Sequence, residues 1–220
     1  MSVPTSVLID GPGDASATLL LAHGAGAPMD SPFMTAIATG LAEHGWRVVR
    51  FEFPYMAQRR LDGKQRAPDR LPKLLDAFRQ QVAALKAQDP EAALFIGGKS
   101  MGGRIASLLV DELAVSDGVR GCLCLGYPFH PPGKPDQLRT EHLAVLNTPT
   151  LILQGERDSF GQRGEVEGYS LAAALELQWI AAGDHSFKPT RSSGLSEADN
   201  WQAAIAAADA FIQRQLALRS

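Results

Sequence analysis

Leu94-Phe95-Ile96-Gly97-Gly98-Lys99-Ser100-Met101-Gly102-Gly103-Arg104 is the stretch that decides the fold. It opens on the apolar run Ala93–Ile96, which is continuous and not alternating, as in a parallel strand covered on both faces. From Arg104 to Leu113 the apolar residues return at helical spacing. Between strand and helix, Gly98-Lys99-Ser100-Met101-Gly102 matches G-x-S-x-G, in the context that a nucleophile elbow requires. So sharp a turn strains the serine backbone and needs small residues two positions away. Gly98, Gly102, Gly103 and Ala106 supply that room. The plain alternative is a glycine-rich turn with an incidental serine; the flanking strand and helix favour the chemical reading. Gly98-Lys99-Ser100 also ends a phosphate-loop pattern, whose first glycine would have to fall at Ala93. The four residues between would be Leu94 to Gly97, which read as strand. That reading fails on residue and geometry.

Working outward, further candidate strands are Thr18–Ala22, Arg47–Phe51, Gly121–Leu125, Thr150–Gln154 and Leu177–Ile180. Helical segments separate them. Ser31 before Pro32 reads as an N-cap with proline at the first helical position, and Gly45 closes that helix. Leu71, Leu74, Leu75, Phe78, Val82 and Leu85 form the stripe of another helix. Ser196 with Asp199 opens the last one as an acidic capping box. This alternation predicts a single α/β domain over residues 1–220, with a mostly parallel sheet and helices on both faces. Two segments break the rhythm and are expected as surface loops. Tyr55–Arg70 carries five basic and two acidic residues, and Pro128–Asp136 is rich in proline.

Composition narrows the function classes. With 45% hydrophobic and 20% charged residues, the 220-residue chain can bury a full core, and a net charge of −3 gives no general attraction to nucleic acid. Cys122 and Cys124, the sole cysteines, cannot make a disulfide framework and lack partners for a zinc site. No apolar run is long enough for a membrane span, and the amino terminus shows no basic start or apolar core of a leader. A cytoplasmic, soluble protein is expected, with no metal or cofactor, no membrane and no nucleic-acid partner; the oligomeric state is left open.

A serine hydroxyl needs a base to take its proton and a third group to orient that base. On a strand-elbow-helix fold the order is serine, acid, histidine. Leu151-Ile-Leu-Gln-Gly-Glu-Arg-Asp158 is a buried strand ending in a glycine turn, and Leu177–Ile180 leads into Ala181-Ala-Gly-Asp-His185. Asp158 and His185 therefore both fall just past strand ends. Glu156 competes as the acid but lies nearer its strand, and Asp184 points elsewhere or caps the turn. His23, His44, His130 and His142 read as surface or satisfied core residues. Backbone donors for an oxyanion are expected from Met101, at the positive end of its helix, and from Ala25 in the His23-Gly24-Ala25-Gly26 loop. In that loop His23 reads as a shaping residue.

LAHGAGAPMDSPFM, FEFPY, GGKSMGGR, LQGERD and GDHSFKP together resemble the α/β-hydrolase superfamily over roughly Thr18 to Leu218. They are most similar to its compact, lidless dienelactone-hydrolase-like branch, near bacterial relatives of the testis-expressed and chromatin-complex hydrolase-like proteins. The resemblance implies an esterase-type fold with Ser100, Asp158 and His185 as triad. True dienelactone hydrolases use a cysteine nucleophile where this chain has serine, so their substrate is not implied. Only Pro128–Leu146 lies between Gly126 and the strand at Thr150, too little for a helical cap. The expected function is hydrolysis of a small or medium carboxylic ester or thioester. The alternative is a non-catalytic binding or scaffold protein on the same fold. Tyr55, Arg59 and Arg60 are candidates for a substrate loop that clamps an anion.

Overall fold

Continuous apolar runs predict strands buried on both faces, and the chain meets that demand with one seven-stranded sheet in a computed structural model describing residues 6–218. Residues 1–5, part of the stretch read for a leader, and 219–220 lie outside the described residues. The strands are β1 (Val7–Asp10), β2 (Ala17–Ala22), β3 (Arg47–Phe51), β4 (Ala93–Lys99), β5 (Val119–Leu125), β6 (Thr150–Gly155) and β7 (Leu175–Ile180). Their order is β1-β3-β2-β4-β5-β6-β7, all parallel except β1, which runs antiparallel to β3. Each of the six predicted strands lies within an observed one. β1 was not foreseen: its alternating half-exposed pattern, VLID, is too short to stand out.

The helices are α1 (Pro32–Glu43), α2 (Pro54–Asp62), α3 (Leu71–Gln88), α4 (Met101–Ser116), the single turn α5 (Arg163–Val166) and α6 (Glu197–Ala217). They cover both faces, giving two cores. On one face α1 and α6 bury Phe33, Ile37, Leu41, Ile205, Phe211 and Ile212 against Leu19, Phe95 and Leu123. On the other, α2, α3 and α4 bury Met56, Phe78, Val82, Ile105 and Leu109 against Leu20, Phe51 and Ile96. The caps act where the sequence puts them: Ser196 Oγ accepts the Asp199 N–H at 3.1 Å while Asp199 Oδ2 accepts the Ser196 N–H at 2.8 Å.

The predicted loop Tyr55–Arg70 needs correcting, because its first half is α2. Pro54 supplies a preset φ at the first helical position, Tyr55, Met56 and Ala57 are buried, and Gly63 at φ 70° stops the helix in a left-handed conformation. Its basic residues had masked that short apolar face. Pro128–Asp136 is irregular as expected, yet it starts inside the protein, with Phe129 and His130 buried.

Strand order places the site. From β2 the chain turns to β3 on one side, while β4 flanks β2 on the other. The helix after β2 packs on one face and the helix after β4 on the opposite face. Their loops diverge, leaving a crevice beyond the carboxyl ends of β2 and β4, where ligands of open α/β sheets bind. Ala22 pairs with Gly98 at its floor. A Cβ on Gly98 would lie 2.5 Å from the Ala22 carbonyl oxygen and 2.6 Å from the Gly102 carbonyl carbon, backbone atoms that cannot swing away. Gly98→Ala is expected to destabilise the protein by about 2–3 kcal/mol, read as a lower urea midpoint at unchanged slope. An unchanged midpoint would show that strand and helix do not need this approach.

Candidate active site

Ser100 caps β4 and starts α4 with φ 52° and ψ −115°, a conformation that side chains rarely adopt. The strain is held by the Ser100 N–H donating to the Leu125 carbonyl at 3.0 Å and the Arg104 N–H donating to the Ser100 carbonyl at 3.0 Å. The hydroxyl therefore stands clear of the turn, at the mouth of the crevice.

The structure brings Ser100, His185 and Asp158 into one hydrogen-bonded line. Ser100 Oγ lies 2.8 Å from His185 Nε2, and His185 Nδ1 lies 2.7 Å from Asp158 Oδ2. An ionised carboxylate only accepts, so Nδ1 carries the proton and Nε2 is left to accept from the hydroxyl. Asp158 is fully buried, and its remaining capacity is filled by Gln154 Nε2 at 2.9 Å and the Phe160 N–H at 2.9 Å. Burial holds the His185 imidazole below its ordinary value of 6.5, with the Asp158 hydrogen bond pulling the other way and the Lys99 charge adding to the lowering. The histidine is thus neutral and basic at pH 7.

Neighbouring groups fasten this histidine. The Phe160 ring stacks on it at 4.2 Å, and Lys99 Nζ donates to its carbonyl at 2.5 Å. Asn200 of α6 donates to the Ala181 and Phe187 carbonyls at 2.9 and 2.7 Å, and Trp201 Nε1 donates to that of Ser186 at 3.2 Å. Burial lowers the Lys99 amine to about 8, with Asp158 and Asp184 opposing. Sequence reading missed Lys99, Phe160 and Gln154 in these roles; the LQGERD motif held Gln154 in plain view.

The competing acids are placed elsewhere. Glu156 accepts the Ala182 N–H at 2.8 Å and pairs with Arg163 at 2.9 Å, and Asp184 caps its turn through the Ser186 and Lys188 N–H groups. His23 is fully buried, its Nδ1 donating to the Gly24 carbonyl at 2.6 Å and its Nε2 accepting the Phe53 N–H at 3.1 Å. This shapes the loop that carries Ala25. His142 meets Ser107 Oγ at 2.9 Å, but Ser107 is buried in α4, away from the crevice, and burial lowers that imidazole to about 4.

Tyr55, Arg59 and Arg60 have other engagements. Tyr55 is buried and its hydroxyl donates to the Ala25 carbonyl at 2.8 Å. Arg60 is clamped by the buried Glu52 at 2.6 Å and by Asp30 at 2.8 Å. Arg59 donates to the Gly26 carbonyl at 3.3 Å, and both arginines line a separate hollow that Ser100 does not reach. The Arg60 fork is filled by carboxylates, which leaves it no free donor pair for a substrate anion.

Two lobes meet at Ala25, Ser100 and Phe160. The larger, about 660 Å³, is walled by Pro32, Phe33, Met34 and Trp201 and contains His185. The smaller, about 390 Å³, is walled by Leu71, Leu74, Met101, Arg104 and Arg139. Ala25 and Met101, the expected oxyanion donors, thus flank the serine. The Met101 N–H belongs to the first turn of α4, whose donors have no acceptor within the helix.

A strained serine hydrogen-bonded to a shielded histidine lies where two lobes meet. Comparison with known proteins agrees on the class. Residues 15–213 match the family model described as alpha/beta hydrolase domain. The chain belongs to the α/β-hydrolase family and is a hydrolase by fold. It is similar in structure to dienelactone hydrolase from Anabaena variabilis, with TM-score 0.72, 19% identity, and 96% of this chain and 92% of that one covered. It is also similar to Est1E from Butyrivibrio proteoclasticus, solved with ferulic acid, with TM-score 0.71, 16% identity and 97% and 96% covered. A Xanthomonas campestris protein described as an a/b serine hydrolase without lid matches at TM-score 0.66 and 20% identity, with 97% and 90% covered. Among the described residues no helix is long and apolar enough to cross a membrane.

Proposed function

We propose that the protein is a serine esterase or thioesterase that cleaves a small or medium carboxylic ester or thioester through an acyl-enzyme on Ser100. The observation that carries this reading is the unbroken line from Ser100 Oγ through His185 to Asp158, at 2.8 and 2.7 Å. Ser100 Oγ attacks the carbonyl carbon as its proton passes to His185 Nε2. The Ala25 and Met101 N–H groups stabilise the oxyanion that forms, and Asp158 stabilises the imidazolium. His185 then gives that proton to the departing alcohol or thiol. A water attacks the acyl-enzyme with His185 again as base, releasing the acid and restoring the serine. The alpha/beta hydrolase family match over residues 15–213 supports a hydrolase, and the lidless serine hydrolase shares its fold.

A fluorophosphonate probe tests the nucleophile. Labelling is expected on the peptide holding Ser100, together with turnover of a panel of esters graded by acyl length. A label on another residue, or no turnover across the panel, would overturn the proposal.

The lowered His185 value fixes the sign of the pH response. A base must be neutral to work, and burial keeps this one neutral below 6.5. Thus kcat/KM for a neutral ester is expected to rise with pH through a midpoint below 6.5 and to be flat at neutrality. A midpoint above 6.5 would mean that a different group, or a more exposed histidine, is the base.

A further inference from the structure

The smaller lobe carries a charge that the protein leaves unanswered. Arg104 and Arg139 both line it. Among the described residues neither guanidinium donates a hydrogen bond or joins an ion pair, and Arg104 Nε is a buried side-chain nitrogen without a partner. Arg50, Arg60, Arg66, Arg79 and Arg163, by contrast, are each matched to a carboxylate. An unpaired donor on a charged group shielded from water is costly, and a bound anion removes the cost.

Among the described residues no carboxylate pairs with either cation. Asp69, the acid on the lobe's wall, is engaged by the Tyr55 N–H at 2.9 Å and Lys73 Nζ at 2.7 Å. His142, beside Arg104, is neutral at pH 7 because burial and that arginine lower it to about 4. The Tyr127 hydroxyl is spent on the Arg139 carbonyl at 2.9 Å. Burial and the charge of Arg104 also hold the Arg139 guanidinium below its ordinary value.

The chemistry assigns the lobes to the two halves of an ester. His185 must hand its proton to the leaving oxygen or sulfur, and it lines the larger, apolar lobe but not the smaller one. The alcohol or thiol therefore occupies the larger lobe, and the acyl chain enters the smaller one beside Met101. Resting on the esterase reading above, we propose that the smaller lobe binds a carboxylate at the far end of the acyl group, so that the preferred substrates are half-esters or half-thioesters of short dicarboxylic acids. The guanidinium fork matches both carboxylate oxygens. Arg104 lies four residues beyond Ser100, about 6 Å along the helix axis, which suits a diacid of about four to six carbons.

Mono-p-nitrophenyl glutarate and its methyl ester differ in that distal charge and one methyl group. The free acid is expected to have a kcat/KM about 10- to 100-fold higher, carried by KM and shrinking as salt is added. In Arg104→Gln/Arg139→Gln the ratio should fall to about one. Arg139→Gln alone, on an irregular segment, should lower it several-fold and serves if the double variant does not fold. Calorimetry with free glutarate on Ser100→Ala reads the lobe without turnover, and binding should vanish when the two arginine changes are added. Equal rates for the two esters, or glutarate binding that survives those changes, would overturn the proposal. Tighter binding of inorganic phosphate than of glutarate would assign the lobe to a phosphoryl group and overturn the dicarboxylate reading. If no ester of either charge is cleaved, the esterase reading fails, while the calorimetric result still decides the anion site.

Discussion

Ser100→Ala is expected to lower kcat by about 10⁴- to 10⁶-fold while the thermal midpoint stays close to that of the parent protein. The size follows from the covalent step: without Oγ no acyl-enzyme forms, and the flanking N–H groups and lobes are left to polarise the ester for attack by water. The fold should tolerate the change. Alanine removes one oxygen whose hydrogen bond is to His185, and the strained backbone at φ 52° is held by main-chain bonds to Leu125 and Arg104. Single-turnover kinetics on an activated ester check it. Retention of even a tenth of the parent rate by the purified variant would place the nucleophile elsewhere.

Asp158→Asn should cost about 10⁴-fold in kcat. The carboxylate accepts from three donors, His185, Gln154 and the Phe160 N–H, and it faces no solvent. An asparagine must offer either its amide nitrogen or its oxygen to His185 Nδ1. If the nitrogen faces it, the imidazole proton shifts to Nε2 and the ring can no longer accept from Ser100. If the oxygen faces it, the amide nitrogen is left opposing donors, and the imidazolium loses its counter-charge in a buried setting. Activity should recover in part at alkaline pH, where hydroxide replaces the base. A loss below tenfold would show that Asp158 orients nothing that the reaction uses.

The parts of the site legible in the sequence were those fixed by local backbone demands. G-x-S-x-G needs small residues wherever Gly98 and Gly102 touch the Ala22 carbonyl, so the motif records a packing constraint that any reader can invert. Asp158 and His185 were legible through position, because parallel strands end on one edge of the sheet. What escaped had long-range causes. Lys99 reads as a variable residue inside the motif, and its contact with the His185 carbonyl spans 85 intervening positions of chain that no periodicity reports. The basic run from Tyr55 looked like a loop because charge dominates its composition, while the helix there is decided by three buried residues and the proline before them. Arg104 was read only as part of a helical pattern; that its guanidinium lies unpaired next to Arg139 depends on the β5-to-β6 segment folding over α4.

The crevice beyond the carboxyl ends of β2 and β4 has a further meaning for how such a protein can change over time. Its larger lobe is built on α1 and α6, which rest on one hydrophobic core, and its smaller lobe on α3 and α4, which rest on the other. The sheet lies between those cores as a partition. Drift in one wall is therefore shielded from the packing of the other, and the nucleophile stands on the partition itself. The two lobes can be retuned separately, like two dials on a common axle, and on the proposed esterase reading those dials are the alcohol and acyl preferences.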